Sequence, residues 1–160
     1  MYDRILVPTD GSEGVERAIE HAVDLAVAHD ASLRAVYVVN SSSYGTIPME
    51  TSWEGIADVL RDEGESALER VCTLAEGRGV DVETALLDGS PSKEIVRYAE
   101  AEHCDLIVMG THGRGGIDRL LLGSVAERVV RSADVPVLTV RVSGERQDRQ
   151  EPSIVEDAEG

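Results

Sequence analysis

Two short glycine-containing segments of the sequence have residue types and a spacing that suit phosphate binding. The first is Gly-Thr-His-Gly at positions 110–113, the second is Gly-Ser-Val at positions 123–125, and nine residues separate them. Glycine has no Cβ atom, so its backbone can approach a ribose or a phosphate closely and can take a positive φ where a strand ends. Gly123 and Ser124 stand at the start of a predicted helix, where free amides and the helix dipole favour an anion. The pattern therefore predicts a site that holds phosphates through backbone amides.

The segment from residue 110 to residue 132 is positively charged in a strongly negative chain. It holds four arginines and two acidic residues, whereas the whole chain has 31 acidic and 15 basic residues and a net charge of −16. The local excess of arginine suits an anionic ligand. The overall charge excludes binding to nucleic acid through bulk electrostatics, because the chain would repel the phosphate backbone.

The composition also predicts an adaptation to concentrated salt. Lys93 is the only lysine among the 15 basic residues, and carboxylates dominate the charged groups. Such surfaces are typical of halophilic archaeal proteins, in which salt screens the repulsion among carboxylates. A GC-rich genome would also explain the scarcity of lysine, but it would not explain the excess of acidic residues. We therefore expect a haloarchaeal source.

Apolar runs and helical patterns alternate along the chain and predict an α/β fold. Turn residues separate five β-rich runs from four amphipathic patterns. The predicted strands cover residues 4–8, 33–39, 80–86, 105–109 and 135–142, and the predicted helices cover about 13–29, 53–78, 91–103 and 124–132. This alternation predicts a single open, twisted, five-stranded parallel sheet with helices on both faces and right-handed connections.

The order of the strands decides where a ligand would bind. In the five-stranded order 3-2-1-4-5, the first and fourth strands are neighbours and their crossovers run to opposite faces, which leaves a crevice at their carboxyl ends. The loops expected at this crevice begin with Pro8, Thr9 and Asp10 after the first strand and with Gly110 after the fourth. The glycine pattern and the predicted crevice therefore coincide.

The glycine pattern resembles the nucleotide signature of the universal stress protein family, in its ATP-binding branch. The likeness extends from residue 1 to about residue 142, and its further segments are 6–10, 36–39, 89–91 and 135–138. The resemblance implies one domain over residues 1–142, with the sheet order 3-2-1-4-5 of the adenine nucleotide alpha-hydrolase-like, Rossmann-like folds. It also implies a cytoplasmic homodimer that binds an adenine nucleotide.

The resemblance assigns a set of residues to the parts of the nucleotide. The first group would line the adenosine end, with Val38 beside the adenine, the second would hold the ribose and the phosphates, and the third would hold the phosphate tail. In this order the groups are Pro8, Thr9, Asp10 and Val38, then Met109, Gly110, His112 and Gly113, and finally Gly123, Ser124 and Val125. The ligand would be ATP, or ADP or AMP in the same cradle, accompanied by Mg²⁺ or Mn²⁺.

Several of these residues also have a purely structural interpretation. Gly110 and Gly113 would be turn residues, and Ser124 would be a helix N-cap. Asp10 could cap the first helix, accept a hydrogen bond from the nucleotide, or help to place a metal ion, and the sequence leaves these roles open. A histidine such as His112, taken alone, is typical of a surface loop. The complete spacing favours ligand binding over these separate interpretations.

The sequence lacks the motifs of common ATP-hydrolysing and nucleotidyl-transferring enzymes. It contains no Walker loop, no Ser-Gly-Gly-x-Asp-Ser pyrophosphatase loop and no His-x-Gly-His motif, and Lys93 lies away from the glycine pattern. No catalytic residue is therefore assigned. We expect a nucleotide-dependent regulatory module of the stress response, read by a protein partner that the sequence does not identify. A slow ATPase and a structural dimer without ligand are the alternatives.

The remaining features concern location, thiols and assembly. The first residues lack the regions of a secretory signal and no apolar run is long enough to span a membrane, so we expect a cytoplasmic protein. Cys72 and Cys104 form no metal or redox motif and are expected to be buried, reduced thiols. The apolar strand at 135–142 would lie at a sheet edge, where we expect two copies to pair. The acidic tail at 143–160 is expected to be disordered.

Overall fold

The computed structural model describes residues 1–40, 53–111 and 123–141 of the chain. Within these ranges strands and helices alternate, as the hydrophobic pattern predicts. The strands are β1 (Arg4–Pro8), β2 (Ser32–Val39), β3 (Val82–Asp88), β4 (Leu106–Gly110) and β5 (Val137–Val140). The helices are α1 (Glu16–His29), which follows a 3-10 turn at Glu13–Val15, then α2 (Trp53–Glu76), α3 (Pro91–Ala101) and α4 (Ser124–Ser132).

The strands form one parallel sheet with the order β3-β2-β1-β4-β5. This finding confirms the predicted fold class and strand order. β1 lies at the centre, paired with β2 on one side and with β4 on the other. Ile5, Leu6 and Val7 of β1 are fully buried, because helices cover both faces of the sheet.

Each face of the sheet has its own hydrophobic core. Side chains alternate between the two faces along a strand, so Ile5 and Val7 point to one face and Leu6 points to the other. α1 and α2 cover the face of Ile5 and Val7, whereas α3 and α4 cover the face of Leu6. The helices that follow β1 and β4 therefore lie on opposite sides of the sheet.

Several element boundaries differ by about two residues from the predicted ones, and two of these differences have a clear cause. β5 begins at Val137 and not at residue 135, because Pro136 has no amide hydrogen to donate to the sheet. α3 ends at Ala101, since His103 has a left-handed φ of +53° that cannot continue a helix. The predicted last strand and third helix are therefore too long.

None of the described helices is long and apolar enough to cross a membrane. The predicted tail at 143–160 lies outside the described residues. Its disorder, and the domain boundary at residue 142, therefore stay predictions.

Candidate functional site

The carboxyl ends of β1 and β4 form the mouth of a crevice. The two strands are neighbours, but α1 packs on one face of the sheet and α4 packs on the other. The connections that follow the two strands therefore diverge, which leaves space for a ligand where the strands end. Pro8 and Gly110 are the last residues of these strands. The described residues of the predicted site lie along this edge of the sheet.

The loop after β1 has a compact shape that its own side chains maintain. Thr9 is buried, and its amide donates to the Val36 carbonyl oxygen of β2 at 2.9 Å. Thr9 Oγ1 accepts a hydrogen bond from the Gly11 amide at 3.2 Å. Asp10 Oδ1 accepts one from the Ser12 amide at 2.9 Å and one from the Ser12 hydroxyl at 2.5 Å. Gly11 has a φ of +77°, which glycine adopts without strain, so the chain turns sharply at the crevice.

The interpretation of Asp10 as a cap of the first helix is wrong. Its carboxylate bonds to Ser12, which precedes the 3-10 turn. The N-cap positions at Ser12 and Val15 have no side-chain cap hydrogen bond. Asp10 therefore shapes the turn at residues 10–12, and its two ligand-related roles stay predictions.

The start of α4 lies beside the end of β4. The Gly123 amide donates to the Thr111 carbonyl oxygen at 2.5 Å, and the Thr111 amide donates to the Val140 carbonyl oxygen of β5 at 3.0 Å. The residues on either side of segment 112–122 are thus in direct contact. Gly110 and Ser124 are far apart in the sequence, but both lie at the carboxyl end of the sheet.

The first turn of α4 has the geometry of an anion-binding site. Gly123 is the N-cap residue, and its carbonyl oxygen accepts the Glu127 amide at 2.9 Å. Ser124 is the first helical residue and is exposed, so the interpretation of Ser124 as the N-cap is wrong. The amides of a first helical turn have no acceptor within the helix, and the helix dipole is positive there. This end of α4 is therefore able to hold a phosphate.

The predicted positive φ at Gly110, where β4 ends, is not observed, so this part of the prediction is wrong. Gly110 is part of β4 and Gly123 has a φ of −56°, so neither uses a positive φ. Among the described glycines, positive φ values occur at Gly11, Gly79 and Gly89. The other part of the prediction, that the absent Cβ lets a ligand approach the backbone at 110 and 123, stays a prediction.

Three apolar residues of the predicted site border the core beneath α3 and α4. Met109 is buried in this core, and Val38 and Val125 are partly buried against it. Val38 lies near the carboxyl end of β2, Met109 lies near that of β4, and Val125 is in the first turn of α4. They make the α3 and α4 side of this sheet edge apolar.

The described part of the arginine-rich segment is partly neutralised. Arg131 pairs with Glu127 at 2.9 Å, one helical turn away, and both side chains are exposed. Arg114 and Arg119 lie outside the described residues. The described part of the segment thus has two exposed arginines, Arg128 and Arg131, of which Arg131 is in an ion pair.

Two predicted contacts cannot be placed on this geometry. His112 and Gly113 lie outside the described residues, so their roles stay predictions. Over 1–40, 53–111 and 123–141, no group of three or more His, Cys, Asp or Glu side chains is arranged to hold a metal ion.

Arg70 of α2 contacts the loop after β1, which the sequence analysis missed. Its Nη2 atom donates to the Gly11 carbonyl oxygen at 3.0 Å. The two residues are 59 positions apart. No local pattern in the sequence indicates such a contact, because a helical arginine beside acidic residues is typical of a solvated surface.

Known proteins are similar to this chain in sequence. The model of the universal stress protein family matches residues 1–141. The universal stress protein MJ0531 of Methanocaldococcus jannaschii is 48% identical over 141 residues, which are 88% of this chain and 83% of that protein.

Two solved structures show the same fold. That of MJ0577, a universal stress protein of the same organism, matches with a TM-score of 0.80 and 31% identity and covers 91% of this chain and 99% of its own. A universal stress protein solved in complex with cAMP matches with a TM-score of 0.66 and 29% identity, over 89% of this chain and 98% of its own.

Proposed function

The chain belongs to the universal stress protein family, and on this basis we propose that it binds an adenine nucleotide, foremost ATP, in the crevice between β1 and β4. The observation that carries the proposal is the hydrogen bond from Gly123 to Thr111, which joins the start of α4 to the end of β4. Phosphates at this helix start would meet backbone amides at the mouth of the crevice. The 29% identical relative in complex with cAMP supports an adenine nucleotide as the class of ligand.

The nucleotide would lie across the carboxyl edge of the sheet. Its adenosine would pack against Val38, next to the loop after β1, and its phosphates would extend to the start of α4. The proposed contacts, in this direction, are Pro8, Thr9, Asp10 and Val38, then Met109, Gly110, His112 and Gly113, then Gly123, Ser124 and Val125. A Mg²⁺ or Mn²⁺ ion bound with ATP would neutralise phosphate charge, and Asp10 would offer it a carboxylate oxygen.

We propose further that nucleotide occupancy acts as a regulatory signal in the stress response. Hydrolysis requires a group that orients an attacking water beside the terminal phosphate. The sequence contains no Walker loop, no Ser-Gly-Gly-x-Asp-Ser loop and no His-x-Gly-His motif. This supports a regulatory module over a slow ATPase.

The test starts with the protein purified without added nucleotide. Mass spectrometry of the small molecules released on denaturation should detect an adenine nucleotide, and calorimetric titration of the stripped protein should give a 1:1 complex with ATP. A phosphate-release assay under multiple-turnover conditions should show no turnover above the rate of free ATP. Failure of the stripped protein to bind ATP, ADP, AMP or cAMP would contradict the proposal, and sustained phosphate release would favour the ATPase.

The edge of the sheet at β5 supports a proposed homodimer. β5 is the last strand of the sheet, and Leu138 on it is 38% exposed. A short apolar edge strand favours pairing with a second copy. Light scattering should give twice the monomer mass, and Leu138→Arg should give a monomer. Val27→Arg on α1, where the valine is also exposed at 45%, is the control that should stay dimeric.

The net charge of −16 supports a proposed adaptation to high salt. At about 0.1 M salt the Debye length is about 10 Å, so repulsion among exposed carboxylates persists. The melting temperature should rise steadily from about 0.1 M to about 2 M KCl, because screening becomes nearly complete over this range. A constant melting temperature over this range would contradict the adaptation.

A further inference from the structure

Arg70 links the crevice to a helix that contributes none of the proposed nucleotide contacts. It lies on α2, and its guanidinium donates to the Gly11 carbonyl oxygen at 3.0 Å. Gly11 follows Thr9 and Asp10, two of the proposed contacts, in the loop after β1. From this link we infer that Arg70 is a positioning residue, which holds the loop in the place where it meets the nucleotide. The inference rests on the proposed function.

The internal hydrogen bonds of the loop explain why a second attachment matters. The Gly11 amide bonds to Thr9 Oγ1, and the Ser12 amide bonds to Asp10 Oδ1, so these bonds join residues two positions apart. They set the shape of the turn but do not set its position over the sheet. The Thr9 amide fixes the beginning of the loop to β2 through Val36. Arg70 fixes its tip.

α2 is a firm support for this attachment. Ala67 and Val71, which flank Arg70 on the helix, are 1% and 0% exposed in the core beneath α1 and α2. The helix approaches the sheet so closely at Gly64 that a Cβ there would lie 2.6 Å from Leu86 Cδ1. Because the helix is packed in this way, the position of Arg70 follows the position of the sheet itself.

The chemistry of the contact suits arginine. A guanidinium stays charged at any physiological pH, and its hydrogen bond to a carbonyl is stronger than one between neutral groups. The left-handed φ of Gly11, +77°, belongs to the turn in which its carbonyl oxygen meets Arg70. Without this bond the tip of the loop would move more freely, and nucleotide binding would have to order it again.

Arg70→Gln and Arg78→Gln form a matched pair for the experiment. Arg78 lies just after α2, and its Nη1 atom donates to the Asp24 carboxylate of α1 at 2.9 Å. Its hydrogen bond is therefore with α1 and not with the loop after β1. Each variant loses one exposed positive charge and one hydrogen bond. Circular dichroism and thermal melting should show that both fold like the unmodified chain.

The first measurement uses the nucleotide-free protein and does not depend on ligand binding. Amide hydrogen exchange followed by NMR should show the Gly11 and Ser12 amides exchanging about tenfold faster in Arg70→Gln, since local opening becomes more frequent. Arg78→Gln should leave these two rates unchanged. Equal rates in the unmodified chain and Arg70→Gln would overturn the inference.

The second measurement is ATP affinity by titration calorimetry. Arg70→Gln should weaken binding by about three- to tenfold, the range expected for losing one hydrogen bond that holds a loop. Arg78→Gln should bind like the unmodified chain, and an equal loss in both variants would overturn the inference. The loss should persist in about 1 M KCl, where the Debye length is about 3 Å. A loss that disappears in salt would assign the effect to charge and overturn a positioning role.

The two measurements separate this inference from the proposed function. If the unmodified chain binds no adenine nucleotide, the proposed function fails. The role of Arg70 in nucleotide binding then fails with it, although the exchange rates can still confirm that Arg70 holds the loop. If the unmodified chain binds ATP and Arg70→Gln binds it equally well, the inference fails alone.

Discussion

The amino end and the carboxyl end of the sheet use their polar groups in different ways. At the amino end, the Asp105 carboxylate accepts hydrogen bonds from the amides of Asp3 at 2.8 Å and Arg4 at 3.2 Å, which are about a hundred positions away. At the carboxyl end, the side chains of Thr9 and Asp10 bond to groups two positions away in their own loop. The Asp105 carboxylate therefore joins distant elements, whereas the side chains of Thr9 and Asp10 shape a local turn, which Arg70 and the Thr9 amide attach to α2 and β2.

Arg34 shows most clearly how the amino end is built. It lies on β2 and is only 8% exposed, although it is charged. Its guanidinium pairs with Glu83 of the neighbouring β3 at 3.2 Å and lies 3.9 Å from a carboxylate oxygen of Glu102, just after α3. A buried charge needs such partners, because leaving water costs several kcal/mol. The ion cluster therefore connects two strands and a helix.

The two ends of the sheet are expected to have different roles, the amino end in the stability of the fold and the carboxyl end in nucleotide binding. At the amino end, Asp105 accepts from the backbone and Arg34 pairs with two carboxylates, while the buried Nε atoms of Arg4 and Arg34 have no hydrogen-bond partner among the described residues. At the carboxyl end, the amides at the start of α4 have no acceptor within their helix, so a ligand can use them. We expect substitutions at the amino end to change the free energy of unfolding and substitutions at the carboxyl end to change nucleotide affinity.

Gly123→Val should have the largest effect on the carboxyl end. The branched side chain would occupy the space through which a phosphate reaches the amides of α4, so ATP affinity should fall by more than about a hundredfold, or about 2.7 kcal/mol. The φ of −56° and ψ of 151° at Gly123 suit any L-residue, so the fold should persist. Titration calorimetry measures the affinity, and circular dichroism measures the fold.

Gly123→Ala is the graded control for this substitution. A single methyl group obstructs less space, so its loss of affinity should be smaller than that of valine. If both variants are folded and bind ATP as tightly as the unmodified chain, the phosphates do not lie at the start of α4. The assignment of nucleotide binding to the carboxyl end then loses its main support.

Ser124→Ala should weaken ATP binding by about ten- to a hundredfold. The substitution removes one hydroxyl donor to a charged group, an interaction worth about 1.5–3 kcal/mol. Ser132→Ala is the matched control, because this serine is exposed at the last position of the same helix. Unchanged affinity in Ser124→Ala, or an equal loss in Ser132→Ala, would remove the hydroxyl from the proposed site.

Arg34→Ala should destabilise the fold and leave nucleotide affinity unchanged. It removes a buried side chain and leaves a cavity, which we expect to cost about 2 kcal/mol and to lower the melting temperature by about 6 °C. The carboxylates of Glu83 and Glu102 are exposed and would be solvated by water. Arg97→Ala is the control, since Arg97 is 78% exposed in its pair with Glu94 and such pairs contribute little. A weaker affinity for ATP in Arg34→Ala would show that the two ends are coupled.

The elements could be predicted from the sequence where local signals mark them. β1 was predicted at residues 4–8 and α4 at residues 124–132, and both predictions are confirmed. Pro8 ends the apolar run of β1, and Gly123 precedes a short amphipathic helix, so local chemistry sets both boundaries. The alternation of strands and helices predicts the parallel sheet, whereas the strand order 3-2-1-4-5 is implied by the resemblance to the family and is confirmed.

The contacts that depend on tertiary packing could not be predicted in this way. An arginine within an apolar strand gives no sign that it will be buried, and only the tertiary packing of α3 beside β2 brings Glu102 close to Arg34. Gly64 lowers helix propensity within α2, yet the position has no room for a Cβ beside Leu86 and Tyr37. The expectation of two buried thiols is correct for Cys104 and wrong for Cys72, which is partly exposed.

Titration of the Cys104 thiol should have the smallest effect on stability, and it tests whether solvent reaches the amino end of the sheet. Burial raises the pKa of this thiol from 9.0 to about 11, although Arg4 and Arg34 oppose the shift. The unfolded chain would ionise near pH 9, so unfolding releases a proton between pH 9 and pH 11. The stabilisation is complete below pH 9 and is lost as the pH rises through this window. At pH 10 the loss should be about 1 kcal/mol.

The measurement compares the melting temperatures of the unmodified chain and Cys104→Ala at pH 8 and pH 10. Other groups titrate in both proteins, so the difference between the two pH dependences isolates the thiol. The unmodified chain should lose about 3 °C more than the variant over this interval. Equal losses would mean that the folded thiol ionises near pH 9, as it does in water. Water would then reach the thiol despite its buried position, and the amino end would differ less from the carboxyl end in its access to solvent.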